Sequence, residues 1–283
     1  MPDVALTLDA LLASARAQLT AAGIDDAVDE ALRLWSGLWR VAAPEAYLAR
    51  REPVTHEAAG RFEDAVARRA AGEPLAYIIG WTGFRRLELA TDRRALIPRP
   101  ETEGVIDLLL RRQATGTVAD IGTGSGCLAL ALADEADFAT VHAADSSTDA
   151  LALAALNAAT LGLPIRFHHG DLVAPLAGLG LDAVVSNPPY LTDAEYAALD
   201  PSVKAWEPAG ALVSGADGLA HTRRLLDEAR AVVRSGGWLV MEIDSQRGSA
   251  SAASARHFGW AAVEVHQDLF GRDRYLTARR SEA

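Results

Sequence analysis

Strands and helices alternate along the chain from Thr117 onward, and this alternation constrains the fold more than any other feature. Short apolar runs with strand character recur there, and helical segments lie between most of them. The predicted strands lie near residues 117–121, 140–145, 165–168, 182–187, 237–243, 261–266 and 273–278. Strands joined by helical crossovers form a doubly wound, Rossmann-like parallel sheet. The last connection, Asp268–Asp273, is too short for a crossover helix, so the seventh strand should run antiparallel.

A different pattern occupies the first 80 residues. Apolar residues recur there at helical spacing, which predicts a small helical bundle. The four helical segments cover residues 8–23, 28–39, 44–49 and 55–72, and Thr55 is the expected N-cap of the last one. Trp35 and Trp39 are four residues apart, so they should share one helix face and pack in the core.

The segment between these two regions is strand-like. It runs from Phe84 to Pro98 and has Thr91-Asp92 at its centre, which predicts a linking β-hairpin that turns there. We therefore divide the chain into a helical domain (1–80), a hairpin (81–98) and a sheet domain (99–283).

Composition and charge exclude several classes. No apolar stretch approaches the roughly 20 residues that cross a bilayer, and Met1–Val4 lack the basic start of a secretory signal, which predicts a cytoplasmic protein. The only cysteine, Cys127, excludes an internal disulfide and a cysteine-rich zinc site. His168 and His169 have no partners at metal-ligand spacing, so we expect no metal. The net charge of −11 argues against direct nucleic-acid binding.

A glycine-rich loop follows the first predicted strand. It spans Asp120–Gly126 and leads into a helix, and its glycines allow a tight turn and a close approach to a ligand. Asp145 ends the second strand, where a carboxylate can accept hydrogen bonds from ribose hydroxyls. The loop alone fits both NAD and S-adenosylmethionine, but Asp120 and the turn described next favour the methyl donor. The candidate cofactor-binding residues of the loop are Gly122, Thr123, Gly124, Ser125 and Gly126.

The fourth predicted strand ends in a polar and rigid turn, Asn187-Pro188-Pro189-Tyr190. Asn187 can donate and accept hydrogen bonds, the prolines stiffen the turn and leave their carbonyls free, and Tyr190 offers a flat face. Such a turn at the carboxyl edge of the sheet could hold a planar group that carries an NH2, either a nucleobase or a carboxamide. The alternative is a structural turn with a half-buried tyrosine.

A second candidate for the cofactor site follows the third strand. Asp171 could accept a hydrogen bond from an adenine amino group, and Leu172 could cover the face of the adenine ring. The alternative for Asp171 is a turn residue or helix cap.

Several segments match one family. The sharpest is Leu96–Glu103, which reads Leu-Ile-Pro-Arg-Pro-Glu-Thr-Glu. The others are Tyr77–Gly80, Asp120–Gly126, Asp145, Ser186–Tyr190, Glu207-Pro208, Asp217–Leu219 and Asp268–Arg272. Over residues 74–275 the chain resembles the bacterial peptide chain release factor glutamine N5-methyltransferases, also called the PrmC or HemK family. It departs at Ala76, where glutamine is usual, and at Asp244, where glycine is usual.

The resemblance implies a class I methyltransferase domain behind a helical domain that recognises the protein substrate. It implies methyl transfer from S-adenosylmethionine to the glutamine amide in the Gly-Gly-Gln loop of release factors. Gly122–Gly126 and Asp145 would bind the cofactor, with Asp171, Leu172 and Asn187 beside it. Asn187–Tyr190 would hold the glutamine, with Asn187, Pro188 and Tyr190 catalytic.

Two other hypotheses fit the same motifs. One is a nucleic-acid base methyltransferase, acting on adenine N6 or guanine N2, because such enzymes share the Asn-Pro-Pro-Tyr turn. The other is a binding module without chemistry, which the combination of glycine loop, Asp145 and Asn187 disfavours.

Overall fold

The computed structural model describes residues 6–282, so the expectation drawn from Met1–Val4 lies outside the described residues. The chain divides into two compact units. The first runs through Trp81 and also includes Pro201–Trp206, a segment that the sequence did not assign to it. The second comprises Thr82–Asp200 and the chain from Glu207 onward, so it includes most of the hairpin region. No helix within residues 6–282 is both long and apolar enough to span a bilayer.

The first unit is helical. It contains α1 (Leu8–Ala21), α2 (Ala27–Trp39), α3 (Ala43–Leu48), α4 (His56–Ala70) and α5 (Leu75–Ile79). The first four confirm the predicted segments, whereas α5 was not predicted. The Thr55 hydroxyl accepts the Ala58 N–H at 3.2 Å, as expected of an N-cap. Trp35 and Trp39 stack with their ring centroids 4.1 Å apart at the margin of the apolar core, which confirms their packing role.

The hairpin consists of β1 (Trp81–Phe84) and β2 (Leu87–Ala90) and turns at Arg85-Arg86. The predicted turn at Thr91-Asp92 was therefore wrong. Arg85 adopts φ 54°, a left-handed conformation that glycine or asparagine would normally signal. Tertiary contacts stabilise it, since its backbone N–H donates to Glu103 at 2.7 Å and its guanidinium binds Glu135 at 2.6 and 2.8 Å.

The second unit is built on a seven-stranded sheet. Its strands are β3 (Thr115–Ile121), β4 (Asp137–Asp145), β5 (Ile165–His169), β6 (Leu181–Ser186), β7 (Val233–Glu242), β8 (Trp260–Gln267) and β9 (Asp273–Arg280). Its order is β5-β4-β3-β6-β7-β9-β8, and only β9 runs antiparallel to its neighbours. All seven predicted strands and the antiparallel last strand are confirmed.

Helices cover both faces of this sheet. The remaining helices are α6 (Glu103–Leu110), α7 (Cys127–Glu135), α8 (Thr148–Leu161), α9 (Asp193–Ala198), α10 (Pro201–Trp206), α11 (Ala220–Val232) and α12 (Gly248–His257), of which α10 belongs to the first unit. Neighbouring residues of a strand point to opposite faces, so Val185 joins the core with Leu130 of α7, and Val184 joins the core with Leu225 of α11. The sheet is buried on both sides, which fits its continuous apolar strands.

Candidate active site

The strand order reverses between β3 and β6. From β3 the chain adds β4 and β5 on one side, then crosses to β6 and β7 on the other. The loops that follow β3 and β6 therefore leave the same edge of the sheet side by side, where open α/β sheets bind ligands. Ile121 and Ser186 are register partners at this edge, and the Ser186 hydroxyl donates to the Ile121 carbonyl at 2.7 Å.

The loop after β3 is shaped by its glycines. Gly122, Gly124 and Gly126 all have left-handed backbones, with φ of 71°, 56° and 87°. A Cβ on Gly126 would lie 3.2 Å from the Cβ of Ala154, so a larger residue there would push against α8. A Cβ on Gly122 would meet nothing within 4 Å, so this position faces open space.

Asp145 braces this loop from the end of β4. One of its oxygens accepts the Gly124 N–H and the other accepts the Ser147 N–H, both at 2.9 Å. Each carboxylate oxygen retains a lone pair beyond these bonds. Asp145 can thus hold the loop and still accept a hydrogen bond from a ligand hydroxyl.

Asp120 is buried at the head of the loop. Its Oδ2 accepts the Thr123 hydroxyl at 2.6 Å and the Ala129 N–H at 3.2 Å, while its Oδ1 has no partner among the described residues. Burial raises the pKa of Asp120 to about 7, although the two hydrogen bonds that the carboxylate accepts act in the opposite direction. An unpaired buried acceptor at a cavity wall is a place for a positively charged donor.

These groups surround one cavity of about 250 Å³ in the second unit. The predicted residues that line it are Gly122, Thr123, Gly124, Ser125, Asp145, Asp171, Leu172, Asn187 and Pro189. Gly126, Pro188 and Tyr190 do not line it. Gly126 is the N-cap of α7, and the Pro188 residue is largely buried in the turn.

Asp171 and Leu172 reach the cavity by different means. Asp171 is exposed, and its carboxylate pairs with Arg224 of α11 at 2.8 Å. Leu172 adopts φ 45°, a left-handed conformation that costs a leucine about 1 kcal/mol. This strained backbone puts an apolar side chain at the cavity wall.

The turn after β6 is tied to the protein by its side chains. The Asn187 Nδ2 donates to the Thr102 hydroxyl at 3.0 Å, and the Tyr190 hydroxyl donates to Glu242 Oε1 at 3.2 Å. Glu242 is 2% exposed, and burial raises its pKa, while Thr102, Arg274 and Tyr190 oppose that rise. Burial likewise raises the pKa of the Tyr190 phenol. Tyr190 thus anchors the turn through its hydroxyl, a role the sequence did not predict.

Sequence reasoning missed three residues that support the site. Thr102 and Glu242 hold the turn, and the side chain of Asn157 bridges Ala90 and Ser125, donating to their carbonyls at 3.1 and 3.0 Å. Thr102 lies inside the most distinctive family segment, Leu96–Glu103, which was the available signal for it.

Arg99 and Glu207, whose roles the sequence left open, form an ion pair. Arg99 Nη2 donates to both Glu207 oxygens at 2.6 and 2.8 Å, and only 3% of the Glu207 side chain is exposed. The pair joins the Leu96–Glu103 segment to the chain after residue 206, beside the cavity that Arg99 and Pro208 line.

Two family models match successive parts of this chain. Residues 10–80 match the family described as the PrmC N-terminal domain, and residues 103–204 match the methyltransferase small domain. The release factor glutamine methyltransferase of Deinococcus radiodurans is 41% identical over 96% of this chain and 98% of its own length. That of Cereibacter sphaeroides is 42% identical over 95% and 96%. The chain belongs to the release factor glutamine methyltransferase family.

Solved structures agree at the level of fold. A methyltransferase from Pyrococcus furiosus matches with a TM-score of 0.52 at 16% identity, over 69% of this chain and 89% of its own. A 16S rRNA N2 G1207 methyltransferase from T. thermophilus, solved with AdoMet and guanosine, matches with a TM-score of 0.50 at 15% identity, over 71% and 49%. This member of the release factor glutamine methyltransferase family therefore has the class I methyltransferase fold.

Proposed function

We propose that this chain transfers a methyl group from S-adenosylmethionine to the side-chain amide nitrogen of the glutamine in the Gly-Gly-Gln motif of peptide chain release factors. The observation that carries the proposal is the joint position of Asn187 and the glycine loop on one cavity at the strand-order reversal. Family membership supports the type of reaction, and the lining of the cavity supports the roles proposed for these residues.

The cavity fits S-adenosylmethionine by its chemistry. The unpaired Asp120 Oδ1 suits the ammonium group, and the spare lone pairs of Asp145 suit the ribose hydroxyls. Leu172 supplies an apolar wall for adenine, and Asp171 can accept from the adenine amino group while it pairs with Arg224. Gly122, Thr123, Gly124 and Ser125 line the remaining side, and Gly126 sets the loop from behind.

The bound sulfonium supplies an activated methyl group. The protein's task is then to orient a weak nucleophile, since the amide lone pair is delocalised into its carbonyl. In our proposal the Asn187 Oδ1 and the Pro188 carbonyl accept the two amide hydrogens of the glutamine, so the nitrogen lone pair faces the methyl group. Both acceptors favour the positive charge that develops on nitrogen. The nitrogen would form its bond to the methyl carbon as the sulfur–carbon bond breaks, the sulfonium would leave as a neutral thioether, and the nitrogen would then lose one proton to solvent.

The rest of the turn supports this grip. Pro188 and Pro189 fix the backbone that carries the accepting carbonyl, and the hydroxyl bond from Tyr190 to Glu242 anchors the end of the turn. Tyr190 is therefore proposed to act by holding the turn as well as by bordering the glutamine.

Labelled methyl donor offered to a release factor, to DNA and to ribosomal RNA in parallel tests the proposal. We expect label in the release factor and none when its Gly-Gly-Gln glutamine is replaced by glutamate. Label in nucleic acid alone would overturn the choice of substrate. The acidic net charge of −11 favours a protein substrate over a nucleic acid.

The first unit is proposed to recognise the substrate protein, and the reaction is proposed to occur in the cytoplasm, where release factors act. Two exposed apolar side chains on α3, Tyr47 at 53% and Leu48 at 79%, offer contact area there. Tyr47→Ser with Leu48→Ser should raise KM for a whole release factor while leaving KM for a short Gly-Gly-Gln peptide unchanged. An equal rise for both substrates would contradict the recognition role.

A further inference from the structure

A buried chain of hydrogen bonds runs behind the Asn187 turn. Asn187 Nδ2 donates to Thr102 Oγ1 at 3.0 Å, and Thr102 Oγ1 donates to Glu242 Oε2 at 2.6 Å. Thr102 and Glu242 are each 2% exposed, so water does not compete for these bonds. The three residues come from the turn after β6, from the turn before α6, and from the end of β7.

Donor and acceptor roles along this chain are fixed by chemistry. A threonine hydroxyl has a single hydrogen, and here that hydrogen is used on Glu242. The Thr102 oxygen can then only accept from its other neighbour. Asn187 must therefore turn its NH2 group toward Thr102, because the opposite rotation would bring two acceptors together.

Glu242 is held as the acceptor at the end of the chain. The Tyr190 hydroxyl donates to its other oxygen at 3.2 Å. Burial raises the pKa of Glu242, and the two hydroxyl donors and the positive charge of Arg274 oppose that rise by favouring the carboxylate. A carboxylate that receives two hydroxyl hydrogens has none to return to Thr102. The donor-to-acceptor direction of the hydrogen bonds from Asn187 through Thr102 therefore follows from Glu242.

We infer that Thr102 and Glu242 are positioning residues that fix the rotation of the Asn187 amide, so that its Oδ1 faces the cavity as a hydrogen-bond acceptor. The inference rests on the proposed function for its meaning in catalysis. No residue within the described part of the chain donates to the Asn187 Oδ1, and Asn187 lines the cavity.

The rotation decides whether the site can work. With Oδ1 toward the cavity, Asn187 accepts a hydrogen from the substrate amide. With the amide rotated by half a turn, its NH2 would face the substrate NH2, and two donors would meet. Only one of the two rotations orients a glutamine nitrogen for attack.

Thr102→Val tests the inference because it keeps the size and removes the hydroxyl. We expect kcat on an intact release factor to fall about tenfold to a hundredfold. KM for the release factor and the calorimetric Kd for S-adenosylmethionine should stay within about threefold. Thr102→Ser should restore most of the kcat. Thr91→Val is the matched control, since Thr91 is also 2% exposed but donates to the Leu89 carbonyl outside the cavity.

A double-mutant cycle separates positioning from direct contact. If Thr102 acts through Asn187, then Thr102→Val should lower kcat little further once Asn187→Ala is present. Losses that multiply would show that Thr102 acts on its own and would overturn the inference. Glu242→Met should behave in the same way, because it leaves the Thr102 hydrogen free to rotate toward Asn187.

The rotation can also be observed without any substrate. The chain has only two asparagines, Asn157 and Asn187, so labelling with ¹⁵N-asparagine gives two side-chain amide signals in an NMR spectrum. In Thr102→Val we expect the Asn187 signal to shift and its hydrogens to exchange faster, while the Asn157 signal stays unchanged. An unchanged Asn187 signal would overturn the inference even if methylation of release factors is observed. A wild-type protein that methylates no release factor would overturn the proposed function and leave this measurement valid.

Discussion

The two loops at the reversal of strand order are held in different ways. The glycine loop after β3 is shaped by its own backbone, with three left-handed glycines and a carboxylate that binds backbone N–H groups. The turn after β6 is shaped by side chains from distant parts of the chain, Thr102 and Glu242. In the proposed function, the loop that binds the cofactor is therefore shaped by local backbone geometry, and the turn that binds the substrate amide is shaped by contacts from distant parts of the chain.

Asn187→Ala should produce the largest effect, and it acts on the turn alone. Removal of a transition-state acceptor should lower kcat at least a hundredfold. Binding of S-adenosylmethionine, measured by calorimetry, should change less than threefold, because the glycine loop does not depend on Asn187 for its shape. Near-normal turnover would contradict the assignment of Asn187.

Gly122→Ala should produce the next largest effect, on the other loop. The added methyl group enters the open space of the cavity on a left-handed backbone, φ 71°. We expect affinity for S-adenosylmethionine to fall about tenfold, with a loss of about 1 kcal/mol in the free energy of unfolding. At saturating cofactor, kcat should change less.

Gly23→Ala is the matched control for that backbone strain. Gly23 has φ 76°, and a Cβ on it would also meet nothing within 4 Å, but it lies in the first unit. This variant should lose similar stability and keep its cofactor affinity. Equal cofactor affinity in both variants would show that Gly122 does not border the cofactor.

Asp120→Asn should produce the smallest effect on the reaction and a clear effect on stability. Because burial raises the pKa of Asp120 from 3.8 to about 7, ionisation is less favourable in the folded protein than in the unfolded chain. Its contribution to stability is complete below about pH 4, is lost as pH rises to about 7, and changes little above that. The variant should therefore be more stable than the wild type at pH 8, by about 4 kcal/mol, and this gain should disappear near pH 4.

Thermal or denaturant unfolding without cofactor, measured between pH 4 and pH 8, checks this prediction. Cofactor affinity should fall severalfold in Asp120→Asn, because the neutral amide no longer attracts the ammonium group. If the free energies of unfolding of the wild type and the variant changed in parallel between pH 4 and pH 8, the raised pKa of Asp120 would be contradicted.

The same contrast explains what could be predicted from the sequence. The glycine loop, Asp145 and the strand pattern are local signals, so the sequence indicated them. Thr102 and Glu242 were not given roles, although Thr102 lies in the distinctive segment Leu96–Glu103. The hydrogen bonds of Thr102 reach Asn187 and Glu242, 85 and 140 residues away along the chain, and no local pattern predicts such contacts. The hairpin turn at Arg85 was misplaced for the same reason, since its left-handed backbone is stabilised by Glu103 and Glu135 rather than by a turn residue.

The hydrogen bond between Ser186 and Ile121 has a consequence for how accurate this site must be. Reacting atoms in a group transfer must meet within about 3 to 3.5 Å. Here the two loops leave adjacent strands, and the last residues of those strands are joined by the 2.7 Å hydrogen bond from the Ser186 hydroxyl to the Ile121 carbonyl. In the proposed reaction, the distance between the loop that holds the methyl donor and the turn that holds the acceptor is therefore set when the sheet forms.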